Sequence, residues 1–284
     1  MKSVRLRLLV LAFLPLVFLL PLLLGVTMAR WINKFDDLLI SKVASDLRVA
    51  EQYFAQIEEA NAAKIAALAQ SARFATALSN GPAALDDLMQ HEQKLLDLDF
   101  LLYHTGNDYD FPTPALPVIT HVKPNTSTAA LALFDGEELY RLSPDLAQKA
   151  AISLVPTEAA RTIDRRVETR GMVLVTAYRS ADGASVLLSG QLLNRNLSVI
   201  DSINDLIYRE ATESQMRTGT TTLFLDDVRI STNVRMFEGE RALGTRVSEI
   251  VWQQVMNRGE PWLDRAFVVN DLYISGYVPL SDIQ

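Results

Sequence analysis

Two short runs place polar side chains at alternating positions. In 228–234, VRISTNV, an extended chain puts Arg229, Ser231 and Asn233 on one face and Val228, Ile230 and Thr232 on the other, because successive strand side chains point to opposite sides. In 272–278, LYISGYV, Tyr273, Ser275 and Tyr277 share a face opposite Leu272, Ile274 and Val278. If the two polar faces meet on one side of a sheet, they form a cup with one fixed cation and several hydroxyl donors. Such a cup suits a small carboxylate or phosphate. A third same-face set is Arg170, Thr176 and Tyr178, in the run before Asp182-Gly183, with Tyr103 as a candidate neighbour. A solvated sheet face is the competing reading of each set.

Catalytic chemistry has no comparable footing. His91-Glu92 lacks the second histidine of HExxH, and no cysteine or histidine stands at ligand spacing from His104 or His121. The absence of cysteine excludes thiolate zinc sites, iron–sulfur clusters, disulfides and cysteine nucleophiles. GxGxxG, GxxxxGK[ST] and GxSxG are missing, and Thr218-Gly219-Thr220 has too few glycines to cradle a phosphate. Asp226-Asp227 is better read as a turn between strands than as paired catalytic carboxylates. The expectation is a protein without catalytic residues, metal or cofactor. With 27 basic against 34 acidic residues, the net charge of −7 argues against nucleic acid as a partner. At 49% hydrophobic and 21% charged, the 284 residues are too apolar for disorder and suffice for about two domains.

The elements that position these residues begin with an apolar run, Leu8 to Ala29, preceded by Lys2, Arg5 and Arg7. Its 22 residues match a hydrocarbon thickness of about 30 Å, and the basic flank belongs in the cytoplasm. Arg30 and Trp31 suit the far interface, and Pro15 and Pro21 are tolerated inside a membrane helix. A signal peptide cut after Ala29, with Thr27 at the −3 position, is the alternative. The run exceeds the 7–15 residues of an ordinary signal core, which favours an uncleaved anchor.

Residues 31 to about 79 hold neither Pro nor Gly and read as one helix, stopped by Asn80-Gly81-Pro82. Val43, Leu47, Ala50, Phe54 and Ile57 form a helical stripe that Ile65, Leu68, Ala72 and Ala75 resume after Asn61. The stripe packs on its own domain or forms a homodimeric stalk with Asn61 setting the register. Residues 83–96 read as a second helix. Leu98–His104 and Val118–Val122 read as strands, with a loop over 105–113, and Ser143-Pro144 opens a helix to about Ile152. Val167–Tyr178 and Ser185–Leu193 form a hairpin around Asp182-Gly183, and Asn196–Glu210 is helical with Leu197, Ile200, Ile203 and Ile207 on one face. Thr221–Asp226 and Val228–Val234 form a tight hairpin, Val247–Asn257 a helix ended by Gly259, and Trp262–Val269 and Leu272–Val278 a last hairpin around Asn270-Asp271. Hairpins with side helices predict an α+β fold, not a parallel sheet.

Four stretches carry a resemblance: GQLLNRNLSVIDSINDLIY (190–208), TGTTTLFLDDVRISTNV (218–234), ERALGTRVS (240–248) and RGEPWLDRAFVVNDLYISGYVPLSD (258–282). With the basic tip, the span and the long helix, they resemble a double Cache sensor domain. The nearest form is the Cache3–Cache2-type fusion of bacterial sensor histidine kinases and chemoreceptors. The likeness covers the last third closely and residues 81 to about 165 in outline. It implies a cytoplasmic tip (1–7), a transmembrane helix (8–29), a stalk or dimer helix (30–80), a membrane-distal PAS-like Cache unit (81–195), a connecting helix (196–217) and a membrane-proximal Cache unit (218–284).

The implied function is periplasmic sensing of a small, anionic metabolite by an inner-membrane receptor, most simply a histidine kinase. A chemoreceptor input domain and a membrane-anchored binding protein without output are the alternatives. The family continues with a further strand, a second span and HAMP and signalling modules, so the chain reads as the sensor part of a longer receptor. Family precedent favours the distal unit and Arg170, Thr176 and Tyr178 for the ligand, whereas the residues themselves favour the second unit.

Overall fold

The computed structural model describes residues 2–106, 111–208, 219–236, 239–269 and 271–281. Helix α1 (Lys2–Ala69) is continuous from the apolar run into the stalk. It is long and apolar enough to cross a membrane, and Phe18, Leu22, Leu24 and Met28 on it are exposed.

The helix ends earlier than expected. At Ser71 the chain turns a corner: its Oγ accepts from Phe74 N at 3.1 Å and caps a separate helix, α2 (Ala72–Ser79). The stop at Asn80-Gly81 is as read: Gly81 has φ +98 and Pro82 opens α3 (Pro82–Leu95).

Strand β1 (Phe100–Thr105) precedes the short helix α4 (Leu116–His121). This corrects the strand expected at Val118–Val122. Pro117 starts the turn, and Arg179 donates from Nη2 to Ile119 O (2.7 Å) and from Nε to Val122 O (3.2 Å), serving carbonyls a helix end leaves bare. Then follow β2 (Thr126–Phe134), α5 (Gly136–Leu142), α6 (Pro144–Ala150), the two-residue strands β3 (Ile152–Ser153) and β4 (Val167–Glu168), β5 (Gly171–Arg179) and β6 (Ser185–Leu192). A four-stranded antiparallel sheet orders these as β1-β6-β5-β2. Strand β2 was not legible, since TSTAALALF is rich in helix formers. Its nine residues pair with the whole of β5, from Thr126↔Arg179 to Phe134↔Gly171, and that pairing overrides local preference.

Alternate residues of β5 serve two cores. Val173, Val175 and Ala177 face an apolar layer with Phe134, Leu139, Val118 and Leu146. Leu174 and Tyr178 face the stalk, packing in clusters with Phe54 and with Ile65 and Leu68 of α1. The stripe therefore packs on its own chain along this stretch, with Phe54, Ile65 and Leu68 buried. Ala72 and Ala75 lie beyond the corner and are exposed. Gly190 stands opposite Phe100, and a Cβ there would come within 2.1 Å of its ring. Gly190→Ala is expected to lower stability by about 1–3 kcal/mol through overpacking, read as a lower urea midpoint at unchanged slope. An unchanged midpoint would show that the ring swings aside freely.

The remainder holds α7 (Leu197–Tyr208), β7 (Thr222–Leu225), β8 (Val228–Thr232), α8 (Glu249–Trp252, running on as π-helix through Asn257), β9 (Trp262–Val268) and β10 (Asp271–Tyr277). Here the expectation of a second sheet needs correction: β7-β8 and β9-β10 are separate two-stranded sheets. The outer edge of β8 is already taken by loop backbone, with Arg229 N donating to Thr245 O (2.9 Å) and Gly244 N to Arg229 O (3.0 Å). The hairpins meet instead through side chains: Phe224, Trp262 and Tyr277 pack around Val247, Val251, Val255 and Ala266.

Candidate functional site

The site is built on the β7-β8 hairpin, whose tight turn is Asp226-Asp227, with Asp226 at φ +56. The ladder pairs Leu223 with Ser231 but Phe224 with Arg229, so Ile230 is an extra residue in a bulge. A bulge breaks strict alternation. Arg229 lies on the face of Thr222 and Phe224, while Ser231 turns to the opposite side and donates from Oγ to Asn196 O at 2.8 Å. Thr232 joins the Arg229 face, its Oγ1 2.7 Å from Thr222 Oγ1. Asn233 closes the hairpin end, accepting from Thr221 N at 2.7 Å. Of the expected trio, only Arg229 remains. Thr222, Phe224 and Thr232 were missed, because TLFLDDVRIST carries no local mark of the bulge.

Arg229 is 2% exposed. Its guanidinium lies 5.1 Å from the Phe224 ring centroid, and Nη1 donates to Thr222 Oγ1 at 3.4 Å. Nε is buried without a hydrogen-bond partner, and among the described residues no carboxylate pairs with this cation. Burial pulls its pKa down to about 10, against the opposing influence of Tyr277. The Tyr277 phenol is itself pushed up by burial, resisted by the Arg229 charge and the Ser275 hydroxyl. Its ring sits 5.8 Å from Phe224. The β8 and β10 faces thus do meet, at Arg229 and Tyr277. Tyr273, nearer the hairpin tip, is 53% exposed and stands apart. Trp262 pairs with Tyr277, and its Nε1 is a second buried donor without a partner among the described residues. A buried cation and an idle N–H around one phenol are costly unless a group with lone pairs and negative charge completes them.

The Arg170, Thr176 and Tyr178 set is engaged elsewhere in the fold. Arg170 precedes β5 and is committed to Glu168, donating from Nη2 at 2.7 Å and Nε at 2.8 Å. Thr176 is buried within the sheet. Tyr178 faces the stalk, its OH donating to Asn125 Oδ1 at 3.1 Å and accepting from Gln70 Nε2 at 3.4 Å. Tyr103 packs in the same cluster, edge-on to Phe74 at 5.3 Å. The parity of β5 assigns this face to α1 and α2.

The Asp226-Asp227 turn also carries a charge network. Asp227 is 0% exposed and accepts from Arg246 Nε (2.9 Å) and Nη2, from Arg161 Nε (3.1 Å) and from Arg165 Nη2 (3.4 Å). Asp226 accepts from Arg161 Nη2 (2.8 Å) and Trp252 Nε1 (2.5 Å), and the Arg161 guanidinium lies 4.1 Å from the Trp252 ring centroid. Arg165 Nη1 bridges on to Glu168 at 2.6 Å. Burial alone would raise the Asp227 carboxyl, but the bonds and charges of Arg246 and Arg161 hold it below its ordinary value. Glu168 behaves alike: burial opposes, and Arg170 with Arg165 brings it down. The network fastens the 157–170 segment to the β7-β8 turn and the loop that follows β8, with Arg246 N donating to Thr157 Oγ1 at 3.0 Å.

The family model of single cache domain 3 matches residues 191–284. The match covers α7 and both hairpins, hence Arg229, Trp262 and Tyr277, and it supports a Cache sensor domain there. Cache domains are extracellular ligand-sensing modules of receptors. No curated protein and no solved structure matches the chain.

Proposed function

We propose that this chain is the ligand-sensing input part of an inner-membrane receptor, with residues 8–29 of α1 crossing the bilayer, a short cytoplasmic tip before them and the bulk of the chain periplasmic. Its ligand is a small anion, of which carboxylates are the first class to test, held at Arg229 between the two hairpins. The observation that carries this reading is the buried guanidinium that no carboxylate among the described residues neutralises, inside the segment that matches a sensory family. A planar guanidinium favours paired contacts to a carboxylate or phosphate, and the Trp262 N–H supplies a further donor.

The relay has a physical route. Strand β10 lies against α1, since a Cβ at Gly276 would come within 2.9 Å of Val43 Cγ1 and 3.3 Å of Leu47 Cδ2. The end of α7 touches the same turns: Lys42 Nζ lies 5.1 Å from the Tyr208 ring centroid. Burial, with the charge and hydrogen bonding of Asp46, pushes Tyr208 up to about 12. A ligand that binds two arrangements of β10 unequally biases the helix that enters the membrane. A histidine-kinase output rests on the resemblance of the four sequence stretches, not on this geometry.

The test is a thermal-shift screen of the full chain in nanodiscs against organic acids, phosphate, amino acids, amines and purines. An anion should raise Tm progressively with concentration, and Arg229→Met should remove that shift. A shift that survives in Arg229→Met moves the site elsewhere, and hits confined to amines overturn the ligand class.

A further inference from the structure

We propose that the tip of the β9-β10 hairpin rests on the outer surface of the bilayer that α1 enters and sets its apolar side chains into the lipid interface. This rests on the reading of α1 as a membrane anchor. Two contacts fix the direction of the hairpin along α1. Toward its open end, Gly276 lies against Val43 and Leu47. Nearer the tip, Arg265, which pairs with Ile274, reaches Asp36 with an Nη2–Oδ2 distance of 2.7 Å. Moving toward the tip therefore means moving down α1 toward the apolar run.

Helix and strand rises place the tip. Asp36 lies seven residues beyond Ala29, about 10 Å along the helix axis. From the Arg265–Ile274 pair the strands continue three residues to the last pair, Val268–Asp271, and four to the turn, about 10–13 Å. The tip thus descends to the level where the apolar run ends. A headgroup layer of about 5–8 Å beyond the hydrocarbon lies within its reach.

The side chains at the tip suit that layer. Leu272 is 62% and Tyr273 53% exposed, with Phe267, Val268 and Val269 half-buried behind them. At the same height α1 carries Trp31, 71% exposed, and Phe35, also exposed. Tyrosine and tryptophan favour the membrane–water interface. The exposed Asp271 keeps the tip in the interface, because a carboxylate does not enter hydrocarbon without cost. Arg30 and Lys34 on α1 offer cations to lipid phosphates at this level. The contact would brace the strand that carries Tyr277 against the membrane.

The native lack of cysteine makes single-cysteine labelling clean. The full chain is reconstituted in nanodiscs of phosphatidylcholine and phosphatidylglycerol that carry a spin-labelled lipid quencher. A fluorophore is attached at Leu22→Cys inside the span, at Leu272→Cys on the tip, or at Leu78→Cys at the end of α2. The end of α1 lies about 60 Å along its axis from Ala29, so the last label is remote from lipid. Lipid quenching at 22, and several-fold more at 272 than at 78, is the expected result. Quenching at 22 with 272 as weakly quenched as 78 overturns the tip contact and leaves the anchor standing. No quenching at 22 overturns the anchor and the tip contact with it.

Discussion

Asp227→Ala is expected to lower the unfolding free energy by about 3–5 kcal/mol, the usual loss when one partner of a buried ion pair is removed. The carboxylate is fully buried and three guanidinium groups converge on it. Arg161 and Arg165 retain 28% and 31% side-chain exposure and can partly rehydrate when it goes. Arg246, at 9%, cannot, and it carries most of the penalty. Urea denaturation of wild type and variant measures the difference, and a loss below about 1 kcal/mol, the level of an exposed pair, would reject this account.

The same network has a pH signature. Asp227 and Glu168 both have folded pKa values below their ordinary ones. Their stabilisation is therefore fully present above the unfolded carboxyl range, about pH 4, and is lost as the pH falls through the lower folded values. Wild-type stability should fall steeply below about pH 4, and Asp227→Asn should flatten that fall. A fall of equal steepness in Asp227→Asn would mean that other carboxylates govern acid unfolding.

Arg229→Met is expected to act in the opposite direction. It replaces a buried, uncompensated cation with an apolar side chain of similar length, beside Phe224 and Tyr277. Burial already disfavours the charge there, so the exchange is expected to be neutral or stabilising. The unliganded variant should therefore melt at or above the wild-type temperature while losing the anion-induced shift. Stability surrendered by the wild type at Arg229 is what a binding site costs when its ligand supplies the missing charge. A variant destabilised by several kcal/mol would instead make Arg229 a structural keystone and remove it as the ligand anchor.

Features governed by a few neighbouring residues were legible in the sequence. The apolar run, the positive-φ stop at Gly81, the hairpin turns at Asp182-Gly183 and Asp226-Asp227 and the helical face of Ile200 and Ile203 each depend on one window. The lone cation Arg229 and its meeting with Tyr277 could be read as a possibility from strand alternation. The fates of other candidates could not. Arg170 is bound by a carboxylate two residues away, yet its basic stretch, RTIDRRVETR, offered several equal pairings. Tyr178 and Thr176 share a face as expected, but only the packing of α1 decides that this face is the stalk side.

The tertiary structure alone decided three further things. A single inserted residue at Ile230 sends Ser231 to the far side of its hairpin, because a one-residue slip in a strand exchanges its faces. The four-stranded sheet recruits β2 against its local preference, through a partner strand about forty-five residues away. The acidic turn at Asp226-Asp227 meets Arg161 and Arg165, more than sixty residues earlier. The amino-acid sequence by itself determined where the chain can cross lipid, turn and alternate, since those follow from backbone geometry and side-chain solvation within a few residues. Which alternating face finds a partner, and which cation no described carboxylate reaches, was decided only when distant segments competed for the same edges and charges in three dimensions.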